Sequence, residues 1–423
     1  MTGPEAPAPR PLRVLLVTTR DIGERATGRI VVLRTHAEAL AALGHDVTIA
    51  VVASRPPAAS RWTRDFRTEH VRSPRPHAMA LSALGALTVG PRSLNECLFV
   101  DRSVRRRVAR LVDDVGADVV VLDSLRLFSA APGHDVPVVV DLDDLLSVRY
   151  QRLRTTAAGD PDAVLGFAAE RIPAAARTAA ARAALLLLGW ESRRVAARER
   201  AVSAAAAVVS LVSCSEAEAL QRSTGRDVAW LPPAVAIPDE PVEPADGLVF
   251  LGGLDYLPNL QALRFYRDEV LPLLDAADPR FVLHVVGHCP DEVREELDVP
   301  GIVLHGYVDD LHAALSRRVL VAPLVAGGGV KLKVLDGMAH GLPVVGTPGA
   351  FEGLGLPAGV GIEVAGGAEL AAAIGALVAD PARCADLGAR ARDLVRETFS
   401  SAAAARRWGA LLDALDGRVG LPR

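Results

Sequence analysis

Two doubly wound α/β domains in series are the fold class this sequence predicts, and three observations carry the prediction. Residues 12–18, 29–43 and 44–52 read as strand, helix and strand, the opening of a parallel sheet with crossover helices. A second such opening begins at Gly247, where GLVFLGGLDYLPNLQALRF runs from a buried strand into a helix. Between them residues 231–246, LPPAVAIPDEPVEPAD, hold five prolines and no helical period, the composition of a linker. The expected division is a disordered tail at 1–10, a first domain at 11–231, a linker at 232–246, a second domain at 247–399, and a terminal helix and tail at 400–423.

Composition agrees with that division. A chain of 423 residues exceeds what one core can bury. With 50% hydrophobic residues and a net charge of −4, neither disorder nor nucleic-acid binding is indicated. Cys97, Cys214, Cys289 and Cys384 form no CxxC pair and no metal-ligand spacing, and a reducing compartment suits them. The first eleven residues are proline-rich and the first apolar run is only a strand long, so no secretory signal is expected. The uncharged run 201–215 falls short of the roughly 18–20 apolar residues a membrane span needs. These readings predict a cytoplasmic protein that can work at the inner face of a membrane.

In the first domain, the loop DIGERATG at 21–28 lacks the G-x-G-x-x-G of a dinucleotide site. Residues 54–118 give a weak pattern broken by Pro56, Pro57, Pro74, Pro76 and Pro91. A helix is expected at 102–115, carrying Arg102, Arg105, Arg106, Arg107 and Arg110. Such a run is either a solvated face or a contact for an anionic lipid surface or another phosphorylated group. Buried strands at 118–122 and 136–141 end at Asp123 and Asp141, with Asp143 and Asp144 just beyond. In open α/β sheets the carboxyl ends of strands face the ligand crevice. Residues 163–207 are alanine- and arginine-rich and helical, with Pro173 a kink or boundary. A strand at 207–212 follows, and Ser215 with Glu218 reads as a capping box.

In the second domain, strand 248–251 leads to Gly252 and Gly253 and a helix from about Asn259. Strands at 281–290, 301–308 and 319–324 follow, and helices at 368–379, 381–397 and 401–415. The most informative stretch is 321–356, VAPLVAGGGVKLKVLDGMAHGLPVVGTPGAFEGLGL. Its glycines, Gly327, Gly328 and Gly329, let a ligand reach the backbone, and the helix starting near Val330 directs unpaired amides at it. Lys331 and Lys333 place two cations where a helix start prefers acids. Asp336, three residues past Lys333, lies on the same face. Lysines for a diphosphate and a carboxylate for ribose hydroxyls describe a nucleotide-diphosphate pocket, although the same residues could decorate an ordinary strand–loop–helix unit.

The order P-L-x-x-G-G-G-V-K-L-K-V-L-D-G-M-A-x-G-L-P-V-V-x-T, with E-G-L after it, resembles the donor segment of family-4 retaining glycosyltransferases of GT-B fold. It is nearest a subgroup with G-x-x-x-K-x-L-E-A-M-A, and GLVFLGGLDYLPN resembles that subgroup's F-x-G-x-x-D-Y-x-P-N. Two departures stand out. The first of the family's two donor-site glutamates falls on Gly328, and the second is Asp336. The arginine and lysine that many members carry after the first strand of this domain are missing, which shifts the diphosphate to Lys331 and Lys333.

The resemblance implies two Rossmann-like domains facing across a cleft, with a terminal helix crossing back to the first. It implies donor contacts at Gly252, Gly253, Tyr307, Val308, Gly328, Gly329, Asp336 and Glu352, with the nucleotide base near Tyr307. Gly28 matches the loop glycine that turns into the cleft, and Asp123 shares that acceptor side. Lys333 and Lys331 would stabilise the leaving diphosphate, and Asp141 and Asp144 would orient the acceptor. Asp141-Leu142-Asp143 spells the D-x-D metal motif of the GT-A fold, but there the nucleotide segment precedes D-x-D, and here it follows. No metal and no cofactor besides the nucleotide-sugar co-substrate is expected. The predicted activity is retaining transfer of a hexose-like sugar to a hydroxyl acceptor, on a cell-envelope glycan, a lipid-linked saccharide or a small natural product. The alternatives are a non-catalytic nucleotide-sugar-binding subunit and, third, an epimerase on the same fold.

Overall fold

The computed structural model describes residues 10–24, 27–79, 81–82, 92–133, 136–156, 173–243, 247–275 and 277–419. Residues 1–9 of the expected disordered tail, the first part of the 163–207 helix and the end of the linker lie outside them; Arg10, expected in the tail, is described and bonds Asp118 at 2.9 Å. The chain divides into two compact units. Unit one comprises 1–212, 216–231 and 405–423, and unit two 213–215 and 232–404.

Unit one is built on seven parallel strands in the order β3-β2-β1-β4-β5-β6-β7. They are β1 (Arg13–Thr18), β2 (Asp46–Ala53), β3 (Arg67–Arg72), β4 (Val119–Asp123), β5 (Val138–Asp141), β6 (Val208–Leu211) and β7 (Val228–Trp230). The central strands are buried along almost their whole length, as a parallel sheet covered on both faces requires. Their valines and leucines join one core with Val104, Val108 and Leu111 of the helix Arg102–Val115. The helix Gly28–Ala42 follows β1 and buries Ile30, Leu33, His36, Ala37 and Leu40.

Register settles what meets at the carboxyl edge. Asp123 of β4 pairs with Asp141 of β5, and Asp141 with Ser210 of β6. The long helix Ala174–Ala205 starts directly after Pro173, the second of the two roles, kink or boundary, read for that proline.

Unit two carries six parallel strands in the order β10-β9-β8-β11-β12-β13: β8 (Gly247–Leu251), β9 (Leu283–Val286), β10 (Ile302–Gly306), β11 (Arg318–Ala322), β12 (Val344–Gly346) and β13 (Ile362–Glu363). The described part of the expected linker, 232–243, has no helix or strand and is tied to this unit, with Val235 N donating to Phe399 O and Val242 N to His340 O. Among the described residues no helix is long and apolar enough to cross a membrane.

Three strands escaped the sequence reading: β3, β7 and β13. All lie at sheet edges, where one flank meets solvent and the apolar run that marks a central strand is not required. The capping box read at Ser215 and Glu218 is also displaced. The helix begins at Cys214, so Ser215 sits inside its first turn, and the Cys214 amide is satisfied by the Gly353 carbonyl at 2.9 Å.

Candidate active site

Unit two gathers the glycine- and lysine-bearing loops at the carboxyl ends of β8, β9 and β11. Gly252, just past β8, has φ +144, and a Cβ there would lie 2.7 Å from Lys333 Nζ and 2.6 Å from Asn259 Nδ2. Gly287, past β9, is equally confined: its Cβ would sit 2.5 Å from the Gly252 carbonyl. Two loops therefore meet backbone to backbone, and only glycine fits.

From the other side β11 leads through the glycine triplet to Lys331, the residue capping the helix Leu332–Ala339. The helix thus starts two residues later than expected, and Lys331 folds back so that Nζ donates to Gly329 O at 2.6 Å. Gly329 itself has φ +73 with open space where a Cβ would be. Gly328 between them is exposed.

Lys333 is the centre of this niche. Its ammonium donates to Asn259 Oδ1 and lies 4.7 Å from the Phe250 ring centroid. Asn259 Nδ2 donates in turn to Gly253 O at 2.7 Å, which turns the amide oxygen toward the lysine. Asn259 entered the sequence reading only as a helix start, and its nearness to Gly253 in sequence was the signal available. Among the described residues Lys333 makes no ion pair with a carboxylate, and burial pushes its pKa down to about 7, with Lys331 adding repulsion.

Asp336, one turn on, is pushed up to about 6 by burial. Neither group causes the other's shift, so the expected Lys333–Asp336 neighbourhood is not an ion pair. Among the described residues this desolvated cation and this desolvated carboxylate each lack an ion-pair partner, the pattern of a candidate binding site. Tyr307, at the end of β10, is exposed with its ring stacked 5.9 Å from that of His288. Val308 beside it is half-buried, as is Glu352 after the short helix Pro348–Phe351.

Unit one holds a second cluster, organised by a residue the sequence reading passed over. Arg29 enters from the first turn of the helix Gly28–Ala42, a position with no acid to complement the helix start. That placement of a cation against the dipole preference was the missed signal. Its Nε donates to Asp123 Oδ1 at 2.8 Å. Nη1 lies 2.7 Å from Asp141 and 3.1 Å from Asp143, as charge contacts rather than aligned hydrogen bonds.

Asp141 is 1% exposed and fully engaged. Ser210 Oγ donates to Oδ1 at 3.0 Å, and His36 Nε2 lies 2.9 Å from Oδ2. Trp408 Nε1 donates to His36 Nδ1 at 3.2 Å, so the His36 proton sits on Nε2 and is given to Asp141. Asp141 stays well below the usual carboxylate range because, although burial opposes it, Arg29 and His36 hold the charge. Asp144 is bound to Arg149, and Asp123 accepts from Thr18 Oγ1 at 2.7 Å.

Asp143 differs from the others. It sits at φ +68, its side chain is 25% exposed, and burial among like charges pushes it up to about 6 despite Arg29. Of the four aspartates it alone keeps substantial open surface. Gly28 shows no steric need for glycine, since nothing lies within 4 Å of an added Cβ. Among the described residues no group of three or more His, Cys, Asp or Glu is placed to hold a metal ion. The carboxylates of the D-x-D triplet instead face a guanidinium.

Comparison with known proteins supplies a frame for both clusters. Residues 245–380 match the sequence family described as Glycosyl transferases group 1. An uncharacterised 44.6 kDa protein from the cps region of Klebsiella pneumoniae is 31% identical over 118 residues, a match spanning 26% of this chain and 30% of that protein. Among solved structures, sucrose-phosphate synthase of Thermosynechococcus elongatus superposes with a TM-score of 0.62 at 21% identity, covering 96% of this chain and 100% of that one. HepE of Anabaena in complex with UDP gives 0.59 at 14% identity over 95% and 100%. WaaG, a glycosyltransferase involved in lipopolysaccharide biosynthesis, gives 0.55 at 16% over 96% and 100%. The chain therefore has the GT-B fold, and its residues 245–380 form a group 1 glycosyltransferase domain.

Proposed function

We propose that this protein transfers a sugar from a nucleotide-diphosphate sugar to a hydroxyl acceptor, with retention of anomeric configuration and without a metal ion. The observation that carries the reading is Lys333: a desolvated cation with no carboxylate partner among the described residues, walled by Gly252 and oriented by Asn259. A leaving diphosphate gains charge as the glycosidic bond breaks, and a cation already aimed at it stabilises that state more than the ground state. Diphosphate binding returns a counter-charge to Lys333 and raises its pKa, so the lysine is fully protonated when charge develops. The Gly328 and Gly329 amides and Lys331 act on the same oxygens. Asp336, ionised above about pH 6, accepts hydrogen bonds from the ribose. Tyr307, beside Val308, and Glu352 border the nucleotide and sugar.

On the acceptor side, Asp143 orients the attacking hydroxyl, while Asp141 and Asp123 hold Arg29 in place and Asp144 holds Arg149. The family match in unit two supports the donor half of this reading, and HepE, solved with UDP and with UDP-glucose, supports a nucleotide-sugar donor. A glycan or lipid-linked saccharide of the cell envelope is the acceptor class favoured by the cps-region relative. A peripheral membrane setting fits that acceptor.

The test is a panel of nucleotide sugars incubated with a chelator, with released nucleoside diphosphate measured directly. Metal-free release from one donor, increased by saccharide acceptors, is the expected result. Gly328, standing where the family has a glutamate, favours a second reading as a non-catalytic nucleotide-sugar-binding subunit. Tight binding of one nucleotide sugar with no release under any acceptor would establish that reading instead.

A further inference from the structure

Away from both clusters, unit one contains a cavity of about 520 Å³ lined by Ser54, His70, Val71, Arg72, Ser103 and Arg107. It lies where β2 and β3 end and the helix Arg102–Val115 begins, on the carboxyl edge of the sheet where ligands of open α/β folds bind. Three of its lining residues are basic and none is acidic. Arg72 is exposed and has no carboxylate partner among the described residues. Arg107 is half-buried and shares Glu69 at 3.3 Å and Asp114 at 3.7 Å, which leaves guanidinium donors for a ligand. His70 is fixed by its Nε2 donating to Ala53 O at 2.9 Å. Ser103 Oγ is committed to Asp101 at 2.6 Å, and the hydroxyl of Ser54 is exposed.

We propose that this cavity is an anion subsite that takes the phosphate group of a phosphorylated saccharide acceptor. Arg72, without a carboxylate partner among the described residues, and Arg107 both line this site, and a guanidinium fork matches the planar, multidentate donor pattern that phosphate oxygens accept. A bilayer surface would instead be met by the outward arginines of the same helix, Arg102, Arg105, Arg106 and Arg110, which line its exposed side. Strand order adds a length. The β2–β3 edge lies three strand positions from the β4–β5 junction that carries Asp123 and Asp141, roughly 14 Å at about 4.8 Å per strand. The phosphate and the reacting hydroxyl are thus separated by the reach of a short oligosaccharide rather than of one sugar. The saccharide acceptor and its length rest on the glycosyl-transfer reading; the anion subsite rests on the cavity.

The experiment is calorimetric titration of the full chain with inorganic pyrophosphate, its donor niche occupied by excess UDP or disabled by Lys333→Ala. One pyrophosphate should still bind. Arg72→Ala should weaken it roughly tenfold or more, Arg72→Lys should restore part of the loss, and Ser54→Asp, which adds a carboxylate to the cavity, should weaken it without touching an arginine. Pyrophosphate affinity indifferent to all three variants overturns the proposal. A parallel arm uses phosphatidylglycerol vesicles. Arg72-dependent vesicle binding with no binding of soluble pyrophosphate would replace the subsite by a membrane-contact patch. If no donor in the diphosphate-release assay is ever turned over while pyrophosphate binding remains Arg72-dependent, the transfer reading falls and the anion subsite survives.

Discussion

Replacing Lys333 by methionine separates what this residue does for folding from what it does for a ligand. The side chain keeps its length and its contact with the Phe250 ring but loses the charge. A fall in pKa from 10.5 to about 7 corresponds to at most about 5 kcal/mol of penalty on the protonated form. The residue is half-buried by surface area, which reduces the expected figure to about 2–3 kcal/mol. The unfolded chain binds more protons than the folded one between pH 7 and pH 10.5, so wild-type stability rises with pH across that window. The gain from Lys333→Met is therefore largest at or below pH 7 and vanishes above about pH 10.5. In the absence of ligand the variant should melt about 4–10 °C higher at pH 6.5, with a smaller difference at pH 9. Turnover should move the other way, because losing a charge-stabilising donor costs about 2–4 kcal/mol in the transition state, a fall of roughly 30- to 1000-fold. Thermal melts at the two pH values and diphosphate-release rates measure both. A variant that melts below wild type without ligand, or keeps turnover within about threefold, refutes the reasoning.

Asp336→Asn should stabilise the free protein above pH 6, since a carboxylate pushed up to about 6 costs folding stability as pH rises from about 4 through 6; nucleoside diphosphate affinity should fall in the same variant, by calorimetry. Gly252→Ala puts a methyl group within 2.7 Å of Lys333 Nζ at φ +144, and donor binding should weaken about tenfold with modest loss of stability. Arg29→Met strips the counter-charge from Asp123, Asp141 and Asp143 and should cost about 3–5 kcal/mol in denaturant unfolding. Asp143, pushed up to about 6, should contribute to an acid limb on turnover: activity rises as pH passes upward through about 6, and Asp143→Asn should reduce that limb to the part set by Asp336 and remove most of the rate.

The order of apolar runs and the proline-rich stretch at 231–246 were enough to determine two parallel α/β domains, because a strand buried on both faces must be almost wholly apolar and a crossover helix must follow it. The clustering of the glycines, Lys331, Lys333 and Asp336 was legible for a related reason: they are contiguous in sequence, so their grouping survives without knowledge of the fold. Edge strands β3, β7 and β13 lack that signature since solvent meets one flank.

The rest was decided by tertiary structure. Asn259 reaches Lys333 across 74 residues, and Arg29 meets Asp123 across 94. Trp408 donates to His36 across 372. No local pattern encodes such separations. Sequence placed Asp141, Asp143 and Asp144 together at the end of one strand, but their different environments come from what the sheet brings beside them. Arg29, His36 and Ser210 bury and satisfy Asp141, Arg149 takes Asp144, and Asp143 is left partly open, because burial and pairing are properties of the assembled sheet edge and not of the triplet that spells it.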